Sequence, residues 1–193
     1  MKKFFALFLA LMMMVSVTAF GEVIASPDAG AIEDAIASPD AGVIEEIKLG
    51  QALFAAHGTK CFAVITVALQ GDVIVAAHIE EFQFMAADTS IGVPNSNEAF
   101  GQSFPEGKVL ASKRQNNEAY SANMANAGST VALLDNYTAI ENYVVGMTVA
   151  ELEAELAGYG EDKAAAMDAV SGATLTDTLG YLQGILAAAK NAQ

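Results

Sequence analysis

Near its C-terminal end the chain brings together the side chains best suited to chemistry, in the run Asp168-Ala169-Val170-Ser171-Gly172-Ala173-Thr174. A carboxylate and two hydroxyls fall within one turn-like stretch, and an apolar run with helical spacing follows. This reading puts the Thr174 hydroxyl at the mouth of that helix. The first backbone N–H groups of a helix lack partners within it and carry the positive end of its dipole, so a phosphate is stabilised there. Gly172 and Ala173 are too small to obstruct a bulky phosphorylated ligand. Asp168, three residues before Ser171, can accept bonds from the turn's N–H groups or orient a hydroxyl. An ordinary loop and helix cap uses the same residue types, and these types alone do not separate the two readings.

The segment resembles the Asp-x-x-Ser-Gly-Ala-Thr attachment motif of extracytoplasmic FMN-binding domains. In that family, which includes subunits of membrane redox pumps and cell-surface electron carriers, a dedicated flavin transferase joins FMN to the last hydroxyl residue through a phosphoester. The resemblance implies FMN held covalently on Thr174, with Asp168, Ser171, Gly172 and Ala173 completing the cofactor-binding motif. It implies a flavin transferase for maturation and extracytoplasmic or membrane redox partners. The implied protein is an exported electron carrier, in which the flavin does the chemistry and no catalytic acid, base or nucleophile is required. The alternative is a secreted binding or interaction module that keeps the fold with no flavin, or with reversible FMN only. The resemblance is strongest over residues 170–188 and weaker over 62–80. Family members often carry Thr-x-Ser or Ser-Ser after the Gly-Ala pair, whereas this chain has Thr174-Leu175-Thr176-Asp177. The acceptor hydroxyl survives that departure. Residues 85–131 match no motif; within them the polar run from Lys113 to Tyr120 reads as a solvated helix face, with hydrogen bonding to a flavin edge as the other reading.

Competing chemistries find little support. His57 and His78 are the only histidines, without His-x-x-x-His or cysteine-rich spacing, so a metal site is not expected; Glu80 and Glu81 after His78 leave a carboxylate–histidine pair conceivable. There is no Gly-x-Ser-x-Gly elbow, P-loop or Cys-x-x-Cys-His haem motif. The single cysteine, Cys61, excludes an internal disulfide framework and reads as a small buried hydrophobe opening a strand.

The surroundings of the motif support export. Lys2 and Lys3, an apolar run over residues 4–17, and the small residues Ala19 and Gly21 form a signal peptide over residues 1–21. The run is short for a membrane span of about 20 residues, and no lipid-anchoring cysteine lies near it; a retained signal anchor is the other reading. Cleavage removes Lys2 and Lys3 but none of the 23 acidic residues, moving the formal charge from −14 to −16. Such a protein repels nucleic acid and anionic lipid and is steered toward basic partners. Residues 22–46 repeat a twelve-residue unit, Ile24-Ala25-Ser26-Pro27-Asp28-Ala29-Gly30 returning as Ile36-Ala37-Ser38-Pro39-Asp40-Ala41-Gly42, and read as an acidic spacer.

The elements that must position the motif follow, over one domain at 47–193. Apolar, β-branched runs at 61–69 and 73–84 around Gln70-Gly71-Asp72 predict a β-hairpin. Residues 87–108, rich in Gly, Pro and Asn, read as a long loop. Helices are expected at 115–126, at 136–145 capped by Asp135, and from Thr148 to about Gly158, where Thr148 and Glu151 make a capping box. Residues 130–134 are assigned a short strand. A last helix begins near Thr176, capped by Thr176 or Asp177, with Leu179, Leu182, Ile185 and Leu186 on one face. The sum is an α+β fold: a small, mostly antiparallel sheet, packed helices, and a C-terminal helix after the motif.

Overall fold

Alternation of buried and outward residues makes the central hairpin. In β2 (Cys61–Gln70) Ala63, Ile65, Val67 and Leu69 point to the core, and β3 (Val73–Ala86) answers with Ile74, Ile79 and Glu81. The turn between them has two residues, Gly71 and Asp72, because Gln70 already pairs with Val73. Gly71 takes φ +62 while Asp72 does not share the positive sign, as a type II′ hairpin requires. A bulge opposite Ala68 and Leu69 leaves Val75 as the extra residue of β3.

A computed structural model describes residues 45–193, which form one unit, Glu45–Gln193. The expected signal peptide, and the expected spacer up to residue 44, lie outside the described residues. Two more strands, β1 (Ile47–Phe54) and β4 (Lys108–Ser112), flank the hairpin, giving a four-stranded antiparallel sheet in the order β1-β2-β3-β4. After β4 come α1 (Asn117–Asn126), α2 (Leu133–Tyr143), α3 (Val149–Tyr159), α4 (Lys163–Ala169) and α5 (Thr178–Lys190). The α+β class expected from the sequence is the class observed. Residues between β3 and β4 are irregular apart from a 3-10 turn at Ala99–Ser103.

Helix α5 lies on β1 and β2, and α2 lies on β3. Glycines set the α5 contact: a Cβ at Gly50 would stand 2.0 Å from the Ala188 carbonyl oxygen, and one at Gly180 would stand 2.4 Å from that of Ala56. The core under the sheet joins Ile65, Val67 and Ile79 to Tyr137, Ile140, Leu152, Leu182 and Ile185. Among the described residues no helix packs on the opposite face of the sheet, which carries several exposed apolar side chains. Leu49 and Leu53 are 63% and 73% exposed, Phe62 stacks on Phe82, and Phe84 meets Phe104 edge-on. Among the described residues no helix is long and apolar enough to cross a membrane.

The segment assigned a strand at 130–134 is not one: Leu133 and Leu134 open α2, which starts at Leu133 with Ala132, not Asp135, at its N-cap position. The reason is tertiary. The first-turn N–H groups of Leu133 and Leu134 donate to the Ser121 hydroxyl at 2.9 Å and the Asn117 side-chain oxygen at 3.1 Å, so α1 supplies the cap that local sequence lacks. The capping box on α3 forms as expected, with Glu151 N–H donating to the Thr148 hydroxyl and Thr148 N–H to the Glu151 carboxylate.

Candidate functional site

Thr174 lies on the surface, in the turn that joins α4 to α5. Asp168 sits exposed in the last turn of α4, Ser171 and Gly172 are exposed, and Ala173 is half-buried. Gly172 takes φ +93, a conformation that any side chain strains, although a Cβ there would only touch that of Ala139 at 3.5 Å. The glycine is needed for backbone direction, then, more than for room.

The turn is not a helix mouth. Helix α5 begins at Thr178, four residues beyond Thr174. The Ala173 N–H donates to the Val170 carbonyl at 3.0 Å, and the Thr174 N–H to the side-chain oxygen of Asn136 at 2.6 Å. Those donors are taken, so they do not converge on a free phosphate as the sequence reading expected. The motif thus presents the Thr174 hydroxyl with two of its backbone donors already committed. Asp177 holds the N-cap position of α5 without capping it. Its carboxylate instead accepts from Lys163 and pairs with His57, both at 2.7 Å. Burial works against that carboxylate, but the bonds and charges of Lys163 and His57 outweigh it and hold its pKa below the usual value.

Asn136 is the partner that sequence reading missed. It lies on the buried face of α2 with Leu133, Tyr137 and Ile140. Its amide nitrogen donates to the carbonyls of Val131 at 3.3 Å and Ala132 at 2.9 Å. Its oxygen therefore faces Thr174, taking the backbone N–H and, at 3.3 Å, the hydroxyl. The signal that finds it is a polar residue on an otherwise apolar helical stripe, because a buried amide must be satisfied.

One residue along, Tyr137 reaches a second polar centre. Glu81, fully buried on β3, receives at one carboxylate oxygen Lys113 at 2.6 Å, Tyr137 at 2.8 Å and Tyr181 at 2.9 Å. Burial alone would raise the Glu81 pKa, but the Lys113 charge and the hydrogen bonds from Lys113, Tyr137 and Tyr181 turn the balance and lower it. For Lys113, attraction to Glu81 likewise outweighs burial and raises the pKa. Burial, with Tyr181 and Glu81 for Tyr137 and with Glu81 for Tyr181, raises both tyrosines and outweighs the opposing bond from Tyr137 to Tyr181, keeping them neutral donors. The Cys61 sulfur lies 2.9 Å from the His57 carbonyl and 3.3 Å from the Glu81 carboxylate, alternative acceptors for its single S–H; burial, then Glu81, pushes the thiol up to about 11 despite Lys113. A thiol whose pKa is raised in this way carries little thiolate, the nucleophilic form, at neutral pH.

The polar run from Lys113 to Tyr120 divides: Gln115, Glu118 and Ala119 are exposed, on or beside a helix α1 that buries no residue, as a solvated face would be, whereas Lys113, Arg114 and Asn116 are tied into the fold. Lys113 is 1% exposed, Arg114 pairs with Glu141 and bonds the Ile79 carbonyl, and Asn116 bonds both backbone groups of Ile91. His78 lies 3.8 Å from Glu141, while Glu80 accepts from Ser112 and Glu81 faces the core, so no pair forms between His78 and either following glutamate. Among the described residues no group of three or more His, Cys, Asp or Glu side chains is placed to hold a metal ion.

Comparison of the chain with protein-family models, with curated proteins and with solved structures gives no match.

Proposed function

We propose that this chain is an exported electron carrier that bears FMN through a phosphoester to Thr174. The observation that carries the reading is an exposed threonine hydroxyl at the end of Asp168-Ala169-Val170-Ser171-Gly172-Ala173-Thr174, held from beneath by a buried side chain. The residues suit covalent attachment: Thr174 is exposed, and its neighbours Gly172 and Ala173 are small. They suit simple phosphate binding less well, because the Ala173 and Thr174 N–H groups are already bonded. Covalent linkage removes the need for a deep phosphate pocket. Bound there, FMN would supply reversible electron transfer. The protein's part is to fix the attachment point and to set charge around it; the acidic chain favours cationic partners or surfaces. Maturation calls for a flavin transferase, and electron exchange calls for extracytoplasmic or membrane redox partners.

The second reading, a secreted binding module without covalent flavin, draws on the apolar outer face of the sheet, where Leu49, Leu53, Phe62 and Phe84 are exposed. One experiment separates the two. Co-expression with a flavin transferase is expected to give a visible flavin spectrum and an intact mass raised by one FMN, both abolished in Thr174→Ala. A colourless wild type, or full loading of the alanine variant, removes the carrier reading; flavin lost on dialysis marks reversible binding instead.

A further inference from the structure

We propose that Asn136 is the positioning residue that presents the Thr174 hydroxyl for phosphoester formation, an assignment that rests on reading Thr174 as the attachment residue. Both amide hydrogens of Asn136 are committed to the Val131 and Ala132 carbonyls, which leaves only one orientation for its oxygen. That oxygen takes the Thr174 N–H at 2.6 Å and the hydroxyl at 3.3 Å. The α2 turn carrying Asn136 is itself fixed from α1, by Ser121 and Asn117. A surface threonine is thus tied to a rigid buried element 38 residues away in sequence, at its backbone and at its reactive oxygen.

The two bonds have different uses. The short one fixes the backbone of Thr174 whether or not the side chain is modified. The hydroxyl bond is long and weak, so little is lost when it goes. While present it points the proton of Oγ1 inward and the oxygen lone pairs outward, toward an incoming donor. In the step itself, the bond from Oγ1 to phosphorus forms. The bridging P–O bond of a pyrophosphate-activated flavin, a flavin dinucleotide, breaks, and the second phosphate leaves with its electron pair. The Oγ1 proton passes to a base on the transferase or to water, and nothing is oxidised or reduced. An amide oxygen is too weakly basic to take that proton, so Asn136 orients and does not act as base. Holding a nucleophile in its reactive geometry is a recognised source of rate.

The test loads purified protein with transferase and flavin dinucleotide, following FMN incorporation by mass, with thermal melting and Thr174 amide hydrogen exchange alongside. In the wild type before loading, the Thr174 N–H is expected to be protected although the residue is exposed. Asn136→Leu is expected to lower the maximal loading rate at least tenfold, leave the half-saturating chain concentration unchanged, and speed Thr174 exchange. Asn136→Asp keeps the acceptor but sets a carboxylate against two carbonyls; it is expected to melt lower yet load within a few-fold of wild type. Loading of Asn136→Leu at the wild-type rate, rate loss in both variants in step with melting temperature, or an unprotected Thr174 amide overturns the assignment alone. A wild type that takes no flavin overturns the attachment reading and the role of Asn136 with it.

Discussion

A single carboxylate oxygen on Glu81 serves Lys113, Tyr137 and Tyr181, and this concentration of donors makes the residue hard to replace. Glu81→Ala leaves a buried ammonium without its counter-charge, and removal of one partner from such a pair costs about 3–5 kcal/mol, measurable as a shift of the urea midpoint. The pH response has two limbs. Glu81 has a lowered pKa, so its contribution is present above the ordinary 4.5 and fades as pH falls through the folded value. Lys113, raised above 10.5, contributes below that value and loses its contribution as pH rises through the folded one. Cys61 adds to the alkaline limb, since the unfolded thiol ionises near 9.0 while the folded one holds its proton to about 11. Stability is therefore expected to be flat between about pH 5 and pH 9 and to fall on both sides. In Glu81→Ala the acid limb should flatten, and a titration of melting temperature checks this. At this scale the motif singles out Thr174 as a candidate, whereas Cys61, read from its apolar neighbours as a small buried hydrophobe, is only half-buried and sits among polar partners, the Glu81 carboxylate and the His57 carbonyl. The sequence hides Asn136 and Glu81, because each takes its meaning from partners distant along the chain, as far as 100 residues for Tyr181.

Elements were legible where their determinants are local. The β2–β3 hairpin is written in alternation and a glycine turn, and α3 in its Thr148–Glu151 box. Strand β1 escapes such reading because its pattern is inverted. Its large residues Leu49 and Leu53 face outward, while Gly50 and Ala52 face the helix, so alternation of size replaces alternation of polarity. Strand β4 has five residues and α4 seven, both short for a periodic signal, and α2 is capped from another helix. The small inner face of β1 has a use, since α5 comes so close that Gly50 has no space for a methyl group. Gly50→Ala is expected to push α5 outward and cost about 1–3 kcal/mol by overpacking, read by chemical denaturation. The same substitution at Gly107, where nothing stands within 4 Å, meets no neighbour and isolates the backbone strain of its φ +67 as a control.

At the scale of the molecule, the described residues give the sheet one face under helices and one apolar face without them, and the site turn leads from α4 into α5, which packs on the sheet. The α+β class was legible because hairpin and helix periodicities are unmistakable over 61–84 and 178–190. The ring of contacts that closes the fold was not, since it is made by pairings of long range. That ring has a kinetic meaning. Glu81 acquires its partners only when β3, the end of β4, α2 and α5 have all arrived, and loops of 56 and 100 residues must close for the two tyrosines. Contacts made so late contribute little to the folding transition state. In stopped-flow measurements Tyr181→Phe, the mildest cut in the cluster, is expected to speed unfolding several-fold while leaving the refolding rate within twofold. The buried carboxylate then acts as a latch, setting how long the folded molecule lasts more than how quickly it forms.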